Sequence, residues 1–320
     1  MHTLVHPERF HEIPGPLVLA AGFFDGVHRG HRRVLDGAVV RARELGGAAW
    51  ALTFDQHPLA VLDPARRPPL LTPLQSRLER LAETGIDGCL LLPFTREFAS
   101  LAPEAFVDLL TVGRRAIAEI RCGANWRFGA RGAGTPALLA QLGSQRGFNV
   151  VIVPAESYKG RPISSTRIRQ AIQSGAIPDA TEMLGRPYSI RETVVRGRGL
   201  GRTIGMATAN LHPSAEVLPQ NGVYVVRTWI GDRPVDGVAG LGWRPTFADA
   251  RPDAPVLEIH LLDFEGDLYG ATLDVAFLAR LRDEIRFPDA AALMVQVRDD
   301  IARARRLLGL SIYPRCPEFL

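Results

Sequence analysis

The sequence predicts an α/β first half built on a parallel sheet and an all-β second half built as an antiparallel barrel. Three observations predict this fold class. A chain of 320 residues is long for a single domain and favours two. Before about residue 180, continuous apolar runs alternate with segments of helical spacing, which is typical of a parallel sheet covered on both faces. After about residue 186, strand-like segments follow one another through turns, which is typical of an antiparallel sheet or barrel.

The first half is predicted to alternate strands and helices. Its apolar runs predict strands over residues 17–21, 48–54, 88–93, 116–122 and 150–154. Helical spacing predicts helices over residues 31–45, 75–83, from 103 onward and 136–145. Ligands of such sheets bind at the carboxyl ends of the strands, and the turn at 22–31 follows the first strand at such an end.

The second half is predicted to form an antiparallel sheet closed by one helix. Its strands are expected over residues 190–195, 222–230, 235–241, 256–263 and 273–278. The last helix is expected over residues 289–308, with one apolar face formed by Leu293, Val297, Ile301, Ala304 and Leu308. The two domains are therefore predicted as 1–185 and 186–320.

The composition is that of an ordinary globular protein. Hydrophobic residues make up 46% and charged residues 22%, with a net charge of +4. Three widely spaced cysteines, Cys89, Cys122 and Cys316, argue against a disulfide framework or a zinc site. No signal peptide and no apolar run of about 18 residues is visible, so we expect a cytoplasmic protein without a membrane span.

The turn at 22–31 has the character of a phosphate site. It reads Gly-Phe-Phe-Asp-Gly-Val-His-Arg-Gly-His and lies between a predicted strand and a predicted helix. A helix start offers free backbone N–H groups to an anion, and Gly26 and Gly30 allow close approach. His28 and His31 can both face that turn and stabilise the charge of a departing pyrophosphate. Two turn histidines, one of them a helix cap, are the plainer alternative.

A second segment supports the same interpretation. Residues 163–169 read Ile-Ser-Ser-Thr-Arg-Ile-Arg and open a helix after the last strand of the first half. Hydroxyl groups at a helix start can cap the helix and also donate to phosphate, and Arg167 adds a charged fork. Capping alone would explain one of the serines but not the whole group.

The second half carries a weaker constellation. Residues 196–205 are rich in glycine and arginine, and a flexible basic loop explains them equally well. Thr208 and Asn210 offer hard oxygen atoms suited to Mg²⁺ beside a polyphosphate. Glu258, facing them across a sheet, could accept the proton of an attacking alcohol, although an exposed strand glutamate is the plainer alternative.

These motifs together carry a resemblance to a known family. The segments 22–31, 53–58 (Thr-Phe-Asp-Gln-His-Pro) and 123–129 (Gly-Ala-Asn-Trp-Arg-Phe-Gly) look like those of the prokaryotic bifunctional riboflavin kinase/FAD synthetase. So do 207–210 (Ala-Thr-Ala-Asn), 242–247 (Gly-Trp-Arg-Pro-Thr-Phe), 258–264 and 282–287. The resemblance spans nearly the whole chain. It implies a Rossmann-like nucleotidyltransferase domain followed by a six-stranded antiparallel β-barrel with a closing helix.

For the first half, the resemblance implies transfer of AMP from ATP to FMN. Residues implied to bind ATP are Gly22, Phe24, Asp25, Gly26, His28, His31, Ser164, Ser165, Thr166 and Arg167. Residues implied to place FMN are His57, Asn125 and Phe128. Gln56 stands where the family usually has proline, and Phe23 where many members have asparagine. Neither change removes a phosphate donor.

For the second half, the resemblance implies phosphorylation of riboflavin by Mg²⁺–ATP. Glu258 is implied as the base that activates the ribityl 5′-hydroxyl, with Thr208 and Asn210 as metal ligands. Further residues implied to bind ATP or flavin are Gly199, Gly201, Arg202, Gly205, Arg282 and Glu284. Ala207 replaces the family's proline before Thr208, which frees a backbone angle that proline would fix.

Three functions are therefore open. The first is a bifunctional enzyme whose partners are riboflavin, FMN, FAD and ATP, with Mg²⁺ as cofactor and no nucleic acid or membrane partner. The second is an FAD synthetase whose kinase half is weakened to a flavin-binding module. The third is a nucleic-acid-binding protein, which the pI of about 9.3 permits but the scattered basic residues do not favour. The oligomeric state is not readable from the sequence.

Overall fold

The computed structural model describes residues 1–4, 13, 15–111, 117–196, 208–243 and 255–309. The chain divides into two compact units, Met1–Ser165 and Thr166–Leu320. The sequence places the boundary twenty residues later, at 185/186. The segment between these two points consists mainly of helices, and one of them packs on strands of the second unit. Where the functional domains meet remains a prediction.

The first unit is a parallel sheet, as the apolar runs predict. Its strands are β1 (His2–Leu4), β2 (Leu17–Ala21), β3 (Ala48–Phe54), β4 (Gly88–Leu92), β5 (Ile117–Gly123) and β6 (Asn149–Val153). The strand order is β1-β4-β3-β2-β5-β6, and every pairing is parallel. All five residues of β2 are buried because helices cover both faces of the sheet.

The helices of the first unit lie between the strands. They are α1 (Arg29–Glu44), α2 (Pro58–Leu62), α3 (Leu74–Ala82), α4 (Arg96–Ala99), α5 (Pro103–Thr111) and α6 (Pro136–Arg146). Helix α1 buries the stripe Val34, Leu35, Ala38, Val39 and Ala42 against one face of the sheet. Phe106, Val107 and Leu110 of α5 belong to the core on the other face.

The chain between β6 and the second sheet forms a hairpin and two helices. The hairpin strands are β7 (Ser157–Tyr158) and β8 (Arg161–Pro162), and the helices are α7 (Ser165–Gln173) and α8 (Ile177–Leu184). Helix α8 ends at Gly185 in the left-handed conformation that glycine adopts without strain. Within the second unit, α8 contacts the first and last strands of the sheet described next.

The second unit is an antiparallel half-barrel with a C-terminal helix, which confirms the predicted fold class. Its strands are β9 (Tyr188–Thr193), β10 (Ala209–Leu211), β11 (Gly222–Ile230), β12 (Arg233–Trp243), β13 (Pro255–Leu261) and β14 (Thr272–Arg282). They are ordered β10-β13-β12-β11-β14-β9, and an isolated bridge between Val195 and Asn210 joins the two edges. The closing helix α9 (Ala290–Gly309) packs Ile301, Ala304 and Leu308 on this sheet.

Several elements differ from the sequence expectations; β1, α2, α4 and α8, for example, were not predicted. Helix α1 begins at Arg29 rather than at residue 31, because the His28 side chain already caps it. Strand β10 was not predicted, because three residues are too few to show a period. Among the described residues, no helix is both long and apolar enough to span a membrane.

Candidate active sites

The predicted adenylyltransferase residues of the first unit lie at one edge of its sheet. The turn 22–31 follows β2, the loop 55–57 follows β3, the loop 124–135 follows β5, and the segment 154–165 follows β6. All four strands run parallel, so these loops meet at the carboxyl edge of the sheet. Strand β2 connects onward to β3 on one side while β5 flanks it on the other. This reversal of strand order is where α/β sheets bind ligands.

The turn after β2 is held in a strained backbone conformation. Phe24, Gly26 and Val27 have φ values of 59°, 82° and 39°, in the left-handed region. Such values cost a non-glycine residue on the order of 1–3 kcal/mol, so the surroundings must impose them. The buried Asp25 carboxylate accepts the N–H groups of Leu71 (3.0 Å) and Thr72 (3.1 Å). Asp25 thus ties the turn to the segment before α3.

The two histidines of this turn are stacked. Their ring centroids are 3.6 Å apart with an interplanar angle of 15°. Nδ1 of His28 accepts the His31 backbone N–H at 3.3 Å. A neutral His28 therefore carries its proton on Nε2, where it can serve as a donor. Gly30 leaves room for this ring, because a Cβ there would lie 3.3 Å from it.

His31 is set up to remain neutral. Burial, and secondarily the neighbouring His28, hold the pKa of His31 well below 6.5. The Phe24 ring meets it edge-on at 5.3 Å. Its buried Nδ1 has no hydrogen-bond partner within the part of the chain that the structure describes. A buried polar atom without a partner is costly and points to a ligand.

The serine-rich segment reaches this turn. Ser165, the first residue of α7, donates its hydroxyl to the backbone carbonyl of Asp25 at 3.1 Å. Arg29 forms an ion pair with Glu156, which precedes the β7–β8 hairpin. Ser164 lies just before α7, and Thr166 and Arg167 follow on its first turn. The structure therefore joins Ser165 to the first-site turn, as the sequence predicts for this segment.

The loop after β3 packs on the same turn. His57 caps α2 by accepting the Leu59 N–H on Nδ1 at 3.1 Å, and its ring meets Phe23 edge-on at 4.9 Å. Gln56 donates its side-chain amide to the Phe94 carbonyl at 3.1 Å. Both departures from the family pattern, Phe23 and Gln56, are thus engaged within the framework of the site.

The loop after β5 presents an exposed polar residue beside a buried aromatic one. Asn125 lies on an exposed turn directly after the strand. Phe128 is 5% exposed and stacks on Trp126 with ring centroids 4.9 Å apart. A Cβ at Gly134 would lie 2.7 Å from the Phe128 ring, so this glycine makes room for it. Of the two predicted FMN residues in this loop, Asn125 has the greater access to a ligand.

Sequence reasoning missed one buried charged residue of this edge. Arg77 is 1% exposed and reaches from α3 to the carboxyl ends of β2 and β3. A signal for it exists in the sequence, since Arg77 falls between Leu74 and Leu81 on the apolar side of an amphipathic helix. An arginine in such a position needs buried acceptors.

The predicted catalytic residues of the second unit share one face of its sheet. Asn210 on β10 pairs directly with Glu258 on β13, and Glu258 pairs with Gly240 on β12. Directly opposed residues of antiparallel strands point to the same face. A Cβ at Gly240 would meet nothing within 4 Å, so open space lies beside Glu258.

Glu284 joins this face, whereas Arg282 is engaged elsewhere. The Glu284 carboxylate lies directly over Gly242, two residues along β12 from Gly240. Arg282 instead binds the buried Asp300 of α9, with its Nη2 at 2.7 Å from the carboxylate. Thr208 immediately precedes β10. The predicted residues Gly199, Gly201, Arg202 and Gly205, together with Ala207 and residues 244–247, lie outside the described residues.

Comparison with known proteins assigns each half to an enzyme family. The FAD synthetase family model matches residues 11–167, and the riboflavin kinase family model matches residues 184–308. A relative from Escherichia coli (strain K12), the bifunctional riboflavin kinase/FMN adenylyltransferase, is 38% identical over 295 residues, which are 92% of this chain and 93% of the relative. The chain belongs to the bifunctional riboflavin kinase/FMN adenylyltransferase family.

A second relative carries the same family description, and a solved structure with a different description shares the fold over nearly the whole chain. The protein of the same description from Bacillus subtilis (strain 168) is 34% identical over 95% of this chain and 96% of its own length. A crystal structure described as a macrolide-efflux protein from Streptococcus pneumoniae is 30% identical, with a TM-score of 0.82, covering 95% of this chain and 98% of that one. The family of the sequence resemblance is therefore confirmed.

Proposed function

We propose that this chain makes FAD from riboflavin in two steps at two separate sites. The half-barrel phosphorylates riboflavin to FMN with ATP, and the parallel-sheet unit transfers AMP from a second ATP to FMN. The family membership of both halves supports the two activities. The observation that carries the assignment of residues is the stacked pair of His28 and His31. The buried Nδ1 of His31 lacks a hydrogen-bond partner among the described residues.

In the adenylyl transfer, the FMN phosphate oxygen attacks the α-phosphorus of ATP and pyrophosphate leaves. The charge on the leaving pyrophosphate and on the equatorial oxygens needs fixed donors. His28, with its proton on Nε2, and His31, whose Nδ1 has no partner in the described chain, supply donors at the start of α1. Ser164, Ser165 and Arg167 supply further donors at the start of α7. Asn125 and His57 place FMN.

In the kinase reaction, the ribityl 5′-hydroxyl oxygen attacks the γ-phosphorus of ATP and ADP leaves. Glu258 accepts the hydroxyl proton, and the open space beside Gly240 admits the ribityl chain. The amide oxygen of Asn210 is opposed to Glu258, and the hydroxyl of Thr208 immediately precedes this strand. These hard oxygens fit Mg²⁺, which when bound neutralises charge on the ATP phosphates.

The test is incubation of the full chain with riboflavin, ATP and Mg²⁺, followed by chromatography of the flavins. We expect FMN to appear first and FAD to follow, and removal of Mg²⁺ by a chelator to stop both steps. Accumulation of FMN without FAD would reject the assignment of the first unit. FAD formed only from supplied FMN would indicate that the second unit is a weakened kinase. A salt-dependent shift of RNA would revive the nucleic-acid alternative.

A further inference from the structure

We infer that Arg77 is a positioning residue for adenylyl transfer. Its guanidinium fastens the turn at 22–31, proposed to bind ATP, to the loop at 55–57, proposed to place FMN. The inference rests on the proposed function of the first unit. The N–H donors of Arg77 form no hydrogen bond to a side chain that is assigned to the phosphates or to the flavin. It acts on the backbone of the two loops that carry them.

The donors of Arg77 are divided between the two loops. Nη1 donates to the carbonyl of Phe23 at 3.2 Å, on the turn that carries His28 and His31. Nη2 donates to the carbonyl of Phe54, the last residue of β3, at 2.5 Å and to that of Asp55, in the loop that carries His57, at 3.3 Å. One planar fork therefore joins the backbone at Phe23 to the backbone at Phe54 and Asp55, just beyond the last ladder hydrogen bond between β2 and β3. A lysine ammonium on a flexible stem could not hold both ends in a fixed geometry.

A second contact reinforces the first. The Arg77 guanidinium carbon lies 4.3 Å from the centre of the Phe23 ring, in cation–π contact. The same Phe23 ring also contacts His57, whose ring meets it edge-on. Thr53 donates its hydroxyl to the same Phe23 carbonyl at 3.0 Å. Phe23 is thus the shared element through which Arg77 relates the two loops.

The charge of Arg77 is maintained inside the protein. Burial lowers the pKa of Arg77, while the nearby Asp25, Cys89 and Asp55 act in the opposite direction. The carboxylates of Asp25 and Asp55 are themselves held by backbone N–H groups, at Leu71 and Phe94 respectively. The cation and its two neighbours therefore form a fixed set at the sheet edge. In-line transfer between two bound substrates depends on such fixed geometry.

The test compares Arg77→Lys and Arg77→Met with Arg146→Met in the full chain. Arg146 is a partly buried arginine that joins α6 to Asp108 of α5, away from both loops, so its loss measures a purely structural effect. Each variant is assayed separately for FMN formation from riboflavin and for FAD formation from supplied FMN. Thermal unfolding reports the folded fraction.

We expect Arg77→Met to lower kcat for FAD formation by about 100-fold, the effect of misaligning bound reactants by about 1 Å. KM for ATP and for FMN should change by less than about threefold, and FMN formation should be unchanged. Arg77→Lys, which keeps the charge and folds more readily, should remain at least about tenfold below wild type in kcat. Arg146→Met should keep the wild-type kcat.

Three results would overturn the inference. The first is wild-type kcat in folded Arg77→Lys. The second is a loss confined to KM. The third is an equal loss in Arg146→Met. A wild-type chain that forms no FAD would instead refute the proposed function itself, so the two failures are distinguishable.

Discussion

Replacement of Asp300 by asparagine tests whether Arg282 anchors the last helix or contacts a substrate. The buried Asp300 carboxylate accepts from Nε of Arg282 at 3.0 Å and from Nη2 at 2.7 Å. Gln296 donates to the same carboxylate at 3.1 Å. Because Arg282 ends β14 and Asp300 lies on α9, this pair fastens the helix to the sheet. Asparagine removes the negative charge and one of the two acceptor oxygens, so the guanidinium is left without a counter-ion.

The size of the expected loss in unfolding free energy follows from the burial of this ion pair. Breaking a buried ion pair by removing one partner costs about 3–5 kcal/mol. The Arg282 side chain retains 14% exposure and so keeps some hydration, which favours the lower end, about 3 kcal/mol. With a urea m-value of about 1–3 kcal/mol/M, the midpoint should fall by about 1–3 M. Replacing both partners by apolar residues, Arg282→Met with Asp300→Leu, should recover most of the loss.

Urea unfolding of the full chain, followed by far-UV circular dichroism and by riboflavin kinase activity at each urea concentration, measures this effect. Asp299→Asn is the matched control, because Asp299 is exposed on the same helix and loses the same charge. Equal midpoints for the two asparagine variants would refute the reasoning. So would an Arg282→Met variant that raises the riboflavin KM strongly without moving the midpoint, since Arg282 would then be a ligand.

Three further predictions concern the sites. His28→Ala should abolish FAD formation and leave FMN formation largely intact, because its imidazole belongs to the first site alone; flavin chromatography measures both. Glu258→Gln should lower FMN formation about 10²–10⁴-fold, because the amide accepts no proton, and steady-state assays with supplied FMN should show unchanged FAD formation. His31 should stay neutral in the folded state, whereas in the unfolded chain it titrates near 6.5. The free energy of unfolding should therefore fall as the pH drops below 6.5, by at most about 1.4 kcal/mol per pH unit. Urea unfolding at several pH values measures this fall.

Each of these predictions has a control variant or an outcome that would contradict it. Equal loss of both activities in folded His28→Ala would contradict the division into two sites. Glu265→Gln changes an exposed glutamate in the turn after β13 and should leave both activities intact. His31→Gln should remove its part of the pH dependence. If that variant and the wild type lose stability in parallel below pH 6.5, His31 is not held neutral.

Much of the fold could be predicted because the apolar residues of the long strands and helices follow clear patterns along the sequence. Strands such as β3 are continuous apolar runs, and α1 repeats its buried residues at helical spacing, so both elements appear within two residues of the predicted positions. The same reasoning fails for β10, whose three residues become a strand only by pairing with β13. Tertiary contacts, and not local preference, create that strand.

The candidate sites divide in a similar way. Residues within one motif, such as His28 and His31, could be predicted together because a single turn places them. The partner of Arg282 could not be predicted, because Asp300 lies on another element and the pair exists only in the folded chain. Arg77 also depends on contacts distant in sequence, with acceptors that are backbone carbonyls and therefore have no signature in the amino-acid letters.

The two motif departures of the first unit become intelligible once Arg77 is considered. A phenylalanine at position 23 offers its ring face to the guanidinium and its edge to His57, which an asparagine could not do. Glutamine at position 56 donates to the Phe94 carbonyl, and Asp55 accepts the Phe94 N–H, so this loop is also fixed to the end of β4. Both departures therefore change how the loops are held and leave His28 and His31 unchanged. We therefore infer that the alignment of ATP and FMN at the proposed site depends on how Phe23, Gln56 and Arg77 hold these loops.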